Sequence, residues 1–334
     1  METLFFGGGT PTHLSPPQLV RLFVLVRRTF PLATGGELSV EANPIDLDDG
    51  RCRELAAAGV TRISLGAQSF DPKLLAVLER DHGPDEIAVA YRQARRIAQS
   101  VSLDLIFGVP GQSLADWRRD LASALALAPD HLSTYGLTFE KGTSFWTRLS
   151  RGELARADEE LERAMCEAGI DTLTAAGYQH YEVSNFARPS HRCRHNETYW
   201  TGQPYFAAGP GAARFVAGRR ETNHRSTTTY IARILAGQSP VAESEQLDPE
   251  DAARERLVFG LRRLAGIDLD RFHAETGYSA RQLGGEALGR FLEQGLLEIV
   301  RPSSQAGSSS PDQLRLTRRG LLVSDAMWPE FLRR

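Results

Sequence analysis

The sequence predicts an α/β fold: a partial barrel of βα units followed by a C-terminal helical, winged-helix-like domain. Three observations predict it. Short apolar or β-branched runs alternate with amphipathic stretches through the first half, at intervals of roughly 25–40 residues. Glycines, carboxylates and an amide stand at the ends of the apolar runs, as they do where βα-barrel strands open on one mouth. From about Asp248 the pattern turns to helices, with two short apolar runs, Leu296–Val300 and Leu314–Leu316, near the end.

Each element has a local reason. Strands are expected at Thr3–Phe6, Leu38–Val40, Ile63–Gly66, Leu103–Phe107 and His131–Leu137, where apolar and β-branched residues cluster. Helices are expected between them, at Pro16–Thr29, Leu47–Ala58, Pro84–Ala98 and Leu114–Ala126, with a longer one at Glu153–Ala176. Ser15-Pro16 reads as an N-cap with proline at the first helical position. Asp46 or Asp48 can cap the second helix, and Gly59 follows its last apolar turn. Past Tyr178 the pattern is irregular. Helical periodicity returns at Pro249–Leu264, Leu269–Thr276 and Ala280–Gln294. The Ser/Gly-rich stretch Pro302–Asp312 is expected to be a flexible hairpin loop, with a last helix over roughly Leu321–Leu332. The domain division is placed at residues 1–240 and 241–334.

Composition closes off several functions. The chain has 334 residues, 41% of them hydrophobic and 24% charged, enough for a large core. No apolar run of about 18 residues occurs, so no integral membrane segment is expected, although peripheral association stays open. The net charge is −3, and from Asp248 onward 13 arginines balance 13 carboxylates. A helix that reads DNA needs a basic footprint, so nucleic acid is not an expected partner. Cys52, Cys166 and Cys193 are too far apart for a disulfide framework or a local cluster, which points to a reducing cytoplasm.

The strand ends carry the chemistry. Gly7-Gly8-Gly9-Thr10-Pro11 lets backbone approach a ligand without side-chain obstruction. It is neither a P-loop nor a dinucleotide fingerprint. Glu41, Gln68 and Asp104 can hydrogen-bond hydroxyl or amino groups, and Arg80 can clamp a carboxylate. Each is as readily structural when taken alone. In Cys193-Arg194-His195-Asn196-Glu197-Thr198-Tyr199-Trp200, imidazole and thiolate are possible haem-iron ligands, and the aromatic rings could form a porphyrin wall. A lone histidine is more often structural.

Taken together, these stretches resemble the radical S-adenosylmethionine (SAM) superfamily. The matching segments are Phe5–Pro11, Glu41-Ala42-Asn43-Pro44, Ser64–Phe70, Asp104–Gln112, Leu132–Glu140 and His195–Trp200, collinear over nearly the whole chain. Within the superfamily, the chain is similar to the branch of oxygen-independent coproporphyrinogen III oxidase and the HemW haem chaperones. His195-Asn196-x-x-Tyr199-Trp200 resembles the chaperones in particular. The resemblance implies that Gly7 and Gly8 hold the SAM amino group. It implies that Glu41, Gln68, Arg80 and Asp104 hold its ribose, amino and carboxylate groups. It associates Cys193, His195, Tyr199 and Trp200 with haem.

One departure stands out. The superfamily binds a [4Fe–4S] cluster through Cys-x-x-x-Cys-x-x-Cys ahead of the Gly-rich turn, leaving one iron for SAM. No such motif occurs here. The expected reading is a chain truncated at its N-terminus, lacking its first βα unit and holding a cluster only if that segment is restored. No radical activity is expected of the chain as it stands. The expected function is that of a haem chaperone passing haem to an acceptor haemoprotein. The alternative is oxygen-independent coproporphyrinogen III oxidase.

Overall fold

The alternation in the first 195 residues folds as seven strands and the helices between them. The order is β1 (Thr3–Phe6), α1 (Pro16–Thr29), β2 (Glu37–Ala42), α2 (Asp49–Ala57), β3 (Arg62–Gln68), α3 (Pro72–Val77) and α4 (Pro84–Ile97). Next come β4 (Ser100–Phe107), α5 (Leu114–Ala126), β5 (His131–Gly136), α6 (Ser144–Ser150), α7 (Glu159–Ala175), β6 (Gln179–Glu182), β7 (Asn185–Ala187) and α8 (Arg194–Trp200). The computed structural model describes residues 1–301 and 311–333. Most of the Pro302–Asp312 loop expected from sequence lies outside them.

The local signals act as expected. Ser15 and Gln18 form a capping box ahead of α1, with Pro16 opening the helix. Asp48, not Asp46, caps α2 by accepting from the Arg51 backbone N–H at 2.7 Å. The long helix expected from Glu153 begins at Glu159 instead. Asp158 there accepts from the backbone of Glu160 and Leu161 and so fixes the start.

One sheet organises this unit, in the order β1-β2-β3-β4-β5-β7-β6. Strands β1 to β5 run parallel, β7 pairs antiparallel with β5, and β6 antiparallel with β7. The sheet curls into a half-barrel with helices on its convex side. Leu38, Val40, Ile63, Leu65, Val101, Leu103, Leu105 and Leu132 point toward the helices and are fully buried. Each such side chain contributes about 1.5–3 kcal/mol of burial. The alternate residues face the other way: Glu37, Ser39 and Glu41; Arg62, Ser64 and Gln68; Ser100, Ser102 and Asp104; His131, Ser133 and Tyr135. Parallel strands covered on both faces usually read as continuous apolar runs. Here one face is the core and the concave face is polar.

The second compact unit starts at Asn196. It holds a three-stranded antiparallel sheet of β8 (Ala213–Val216), β9 (Arg219–Asn223) and β10 (Val241–Gln246), with α9 (Thr227–Leu235) between β9 and β10. The expected division at 240/241 falls just before β10, the strand that pairs with β9. Then follow α10 (Pro249–Leu261), β11 (Ile267–Asp268), α11 (Leu269–Thr276), α12 (Ala280–Glu293), β12 (Leu297–Val300) and β13 (Gln313–Leu316). Strands β11, β13 and β12 make a small sheet beside the helices, the winged-helix-like arrangement. The single last helix expected over Leu321–Leu332 is broken into α13 (Arg318–Leu322), α14 (Ser324–Met327) and a short 3₁₀ turn. Val323, at φ −123°, interrupts it.

Candidate functional site

The Gly-rich turn and Glu41 form one feature. A Cβ on Gly7 would lie 2.6 Å from Glu41 Oε2 and 2.4 Å from the Phe5 ring, so only glycine leaves room for the carboxylate. Gly8, at φ +84°, turns its N–H to Glu41 Oε2 at 3.1 Å. Burial raises the pKa of Glu41, the Gly8 N–H opposes that rise, and Asp104 adds to it.

Gln68 ends β3 with φ +63°, a left-handed conformation that costs a non-glycine residue energy. Its side chain folds back over Gly66, where a Cβ would meet Gln68 Nε2 at 2.8 Å. The turn is clamped from two sides. Asp120 on α5 accepts from Ser69 Oγ at 2.8 Å and from the Phe70 N–H at 2.7 Å. His82 Nε2 lies 3.1 Å from the carbonyl of Ala67. Burial pushes the Asp120 carboxyl up to about 6.

Arg80 lies two residues before His82, beyond α3 rather than at a strand end. It is exposed, and no carboxylate comes within 4.0 Å of its guanidinium among the described residues. Partial desolvation lowers its pKa. The His82–Ala67 bond therefore ties the Arg80 segment to the Gln68 turn.

Asp104 sits within β4, on the concave face. Ser64 Oγ reaches both of its oxygens, at 2.9 and 2.7 Å, and Ser102 Oγ donates at 3.2 Å. Ser133 is its register partner on β5. Burial raises its pKa against these donors. Gly7, Gly8, Glu41, Gln68 and Asp104 thus share the concave face and its carboxyl-terminal rim.

The residues associated with haem divide. Cys193 and His195 stand at the opposite rim, where the strands begin. Glu37 organises that corner: it accepts from Arg62 Nε at 3.2 Å, from Ser39 Oγ at 3.2 Å, and from the backbone N–H of Arg194 and His195 at 3.2 and 3.1 Å. Cys193 is buried, with Sγ 3.8 Å from Glu37 Oε1. The His195 ring stacks on Phe5 at 4.8 Å, its Nδ1 is 3.1 Å from Thr3 Oγ1, and burial lowers its pKa. Glu37 and Glu41 lie four residues apart on one strand face, about 13 Å.

Tyr199 and Trp200 belong to the second unit, which begins after His195. Tyr199 packs edge-on against Tyr205 at 4.7 Å. Trp200 lies 6.3 Å from Phe259, with the Arg262 guanidinium over its ring at 4.5 Å. The Trp200 Nε1 and Arg262 Nε donors are buried without hydrogen-bond partners among the described residues.

Sequence reasoning passed over Glu37, Arg62, Asp120, His131 and Tyr181. The signal that finds the first two and His131 is the strict polar–apolar alternation in Glu37–Ala42, Arg62–Leu65, Ser100–Leu105 and His131–Ser133. Asp120 and Tyr181 act through contacts 51 and 50 residues away in sequence and have no local signal.

The residues suit SAM on one count: a turn in which a Cβ on Gly7 would fill the space beside Glu41, flanked by carboxylate and amide groups on one face. A [4Fe–4S] cluster does not fit the residues present. Cys52, Cys166 and Cys193 lie on separate elements, and no group of three His, Cys, Asp or Glu among the described residues could hold a metal.

Comparison with known proteins agrees with this architecture. A family model described as the radical SAM superfamily matches residues 1–124, and one described as the HemN C-terminal domain matches residues 247–302. The heme chaperone HemW of Bacillus subtilis (strain 168) is 34% identical over 334 residues, spanning 99% of this chain and 86% of the relative. That of Mycobacterium tuberculosis (strain ATCC 25618 / H37Rv) is 39% identical over 331 residues, 98% of this chain and 80% of the relative. Among solved structures, coproporphyrinogen III oxidase (HemN) from Escherichia coli, described as a radical SAM enzyme, superposes with a TM-score of 0.82. It covers 99% of this chain and 77% of its own at 20% identity, a likeness of fold alone.

Proposed function

Because the chain belongs to the HemW family of the radical SAM superfamily, we propose that it is a haem chaperone, binding haem and handing it to an acceptor haemoprotein. One observation carries the reading: the likeness to heme chaperones extends over 98–99% of this chain, and so takes in Cys193 to Trp200. The geometry supports His195 as the axial ligand over Cys193. The imidazole is half-buried beside Phe5, whereas the thiol is buried beside Glu37. Tyr199 and Trp200, in the second unit, keep only the haem association that the sequence resemblance gives them.

We assign Gly7, Gly8 and Glu41 to the amino group of SAM, and Gln68, Arg80 and Asp104 to its ribose and carboxylate groups. Bound SAM supplies radical chemistry in this superfamily when a cluster accompanies it. Here the residues of the chain bind and orient, and no step is assigned to a cluster. Cys52, Cys166 and Cys193 are not joined in disulfides, in keeping with a cytoplasmic setting. No helix among the described residues is long and apolar enough to cross a membrane.

Titration with haemin, followed at the Soret band, tests the reading. A saturable shift is expected that His195→Ala removes and Cys193→Ala retains. A shift that survives both substitutions together, or no saturable shift, overturns it. The second reading, coproporphyrinogen III oxidation, has the fold likeness on its side. Anaerobic binding of coproporphyrinogen III by a chain that ignores haemin would favour it.

A further inference from the structure

A line of hydrogen bonds crosses the concave face from Asp104 to the Cys193 corner. Ser102 Oγ lies 3.2 Å from Asp104 Oδ1 and 2.8 Å from His131 Nδ1. His131 Nε2 lies 2.9 Å from the Tyr181 hydroxyl, and that hydroxyl accepts from the Cys193 backbone N–H at 3.2 Å. Ser102, His131, Tyr181 and Cys193 are all buried, so water does not compete for these groups. Every member belongs to the first unit.

Taking Asp104 as a carboxylate places the protons along this line. Ser64 and Ser102 both turn their hydroxyls on Asp104, which as a carboxylate only accepts. Ser102 therefore spends its single proton on Asp104. Its oxygen can then only accept from His131, which puts a hydrogen on Nδ1. At the other end, the Tyr181 hydroxyl accepts from Cys193. With the imidazole neutral and its hydrogen on Nδ1, Nε2 carries the lone pair that takes the Tyr181 proton. Every bond then runs the same way, from Cys193 toward Asp104. Burial, with Arg62 nearby, acts in the same sense by disfavouring the imidazolium.

We propose that His131, held as the Nδ1–H tautomer, is a positioning residue that couples the setting of Asp104 to that of the Cys193–His195 corner. The coupling rests on the reading above in that Asp104 is taken to meet SAM and the corner to meet haem. A hydroxyl or amino donor arriving at Asp104 competes with Ser102 for the same oxygen. Weakening that bond weakens the polarisation of the next one, and the change ends on the Cys193 amide, next to the residues that Glu37 anchors. Two sites about one strand length apart are then joined by three side chains, Ser102, His131 and Tyr181, instead of by a moving loop.

The test has a tautomer arm and an exchange arm. Long-range ¹H–¹⁵N spectra at neutral pH, with His131→Asn used to assign the ring, are expected to show neutral Nδ1–H. An Nε2–H pattern or an imidazolium overturns the proposal. Hydrogen exchange of the Cys193 amide is expected to quicken several-fold in Ser102→Ala, two side chains away, while the Leu103 amide in the sheet core is unchanged. No change at Cys193, or an equal change at Leu103, also overturns it. Saturating SAM is expected to alter Cys193 exchange in the parent chain and not in Ser102→Ala. A response of equal size in Ser102→Ala counts against the coupling. Equilibrium dialysis reads SAM binding separately: its failure strikes the assignment of Asp104 to SAM, and the coupling is then decided by the tautomer and by Ser102→Ala alone.

Discussion

Glu37 and Glu41 lie on the same face of the same strand, yet their surroundings are opposed. Glu37 is 8% exposed and accepts from a guanidinium, a hydroxyl and two backbone N–H groups. Glu41 is half-buried and accepts from one backbone N–H, that of Gly8. The first carboxylate has spent its acceptor capacity on the fold. The second keeps most of its capacity for something else, at the cost of a raised pKa. For these two carboxylates, the count of donors separates the structural one from the one available to a ligand.

The largest effect expected from this contrast is on stability. Glu37→Leu leaves the buried Arg62 charge without its carboxylate and two helix N–H groups without an acceptor. A loss of about 3–5 kcal/mol is expected in denaturant unfolding. A loss below about 1 kcal/mol would mean that Glu37 is not the anchor described here.

Asp120 makes a third, intermediate case, with two donors and almost no exposure. Burial holds its folded pKa at about 6, above the ordinary carboxylate value of 3.8. Between these values the folded state holds the proton and the unfolded state does not. Stability from this group is therefore full at low pH and falls as pH rises from about 4 to about 6, by at most about 3 kcal/mol. In Asp120→Asn that part of the pH dependence should vanish. An unaltered slope of unfolding free energy against pH would refute it.

The smallest effect on the fold, and the one that sharpens the contrast most, belongs to Glu41→Gln. Unfolding should shift by less than about 1 kcal/mol. SAM binding by equilibrium dialysis should fall about tenfold or more, the usual worth of a hydrogen bond to a charged group. A large stability loss with unchanged binding would reverse the roles given to the two residues.

Much of the fold was legible because it is written locally. Helix α1 and α11 begin and end where the capping residues and periodicity place them. Helices α3, α6 and α8, of 6, 7 and 7 residues, were missed, since such short runs show too little periodicity. The β6–β7 hairpin was also missed: its strands have four and three residues. Of the candidate site, Gly7, Gly8, Glu41, Gln68 and Asp104 were legible as polar groups beside apolar runs. Glu37 was not, because its partners Arg62 and His195 are 25 and 158 residues distant. Nor was the separation of Cys193 and His195 from Tyr199 and Trp200, since a unit boundary inside one short helix leaves no mark in composition.

The polar concave face has a consequence for how such a chain can change. Each parallel strand carries two interleaved messages, one on odd positions and one on even. In β3, Ile63 and Leu65 spell the interior, while Ser64 and Gln68 spell the lining of the bowl. A substitution in one message leaves the other readable. Apart from anchors such as Glu37 and Arg62, the lining of the bowl can change its chemistry without respelling the scaffold that holds it.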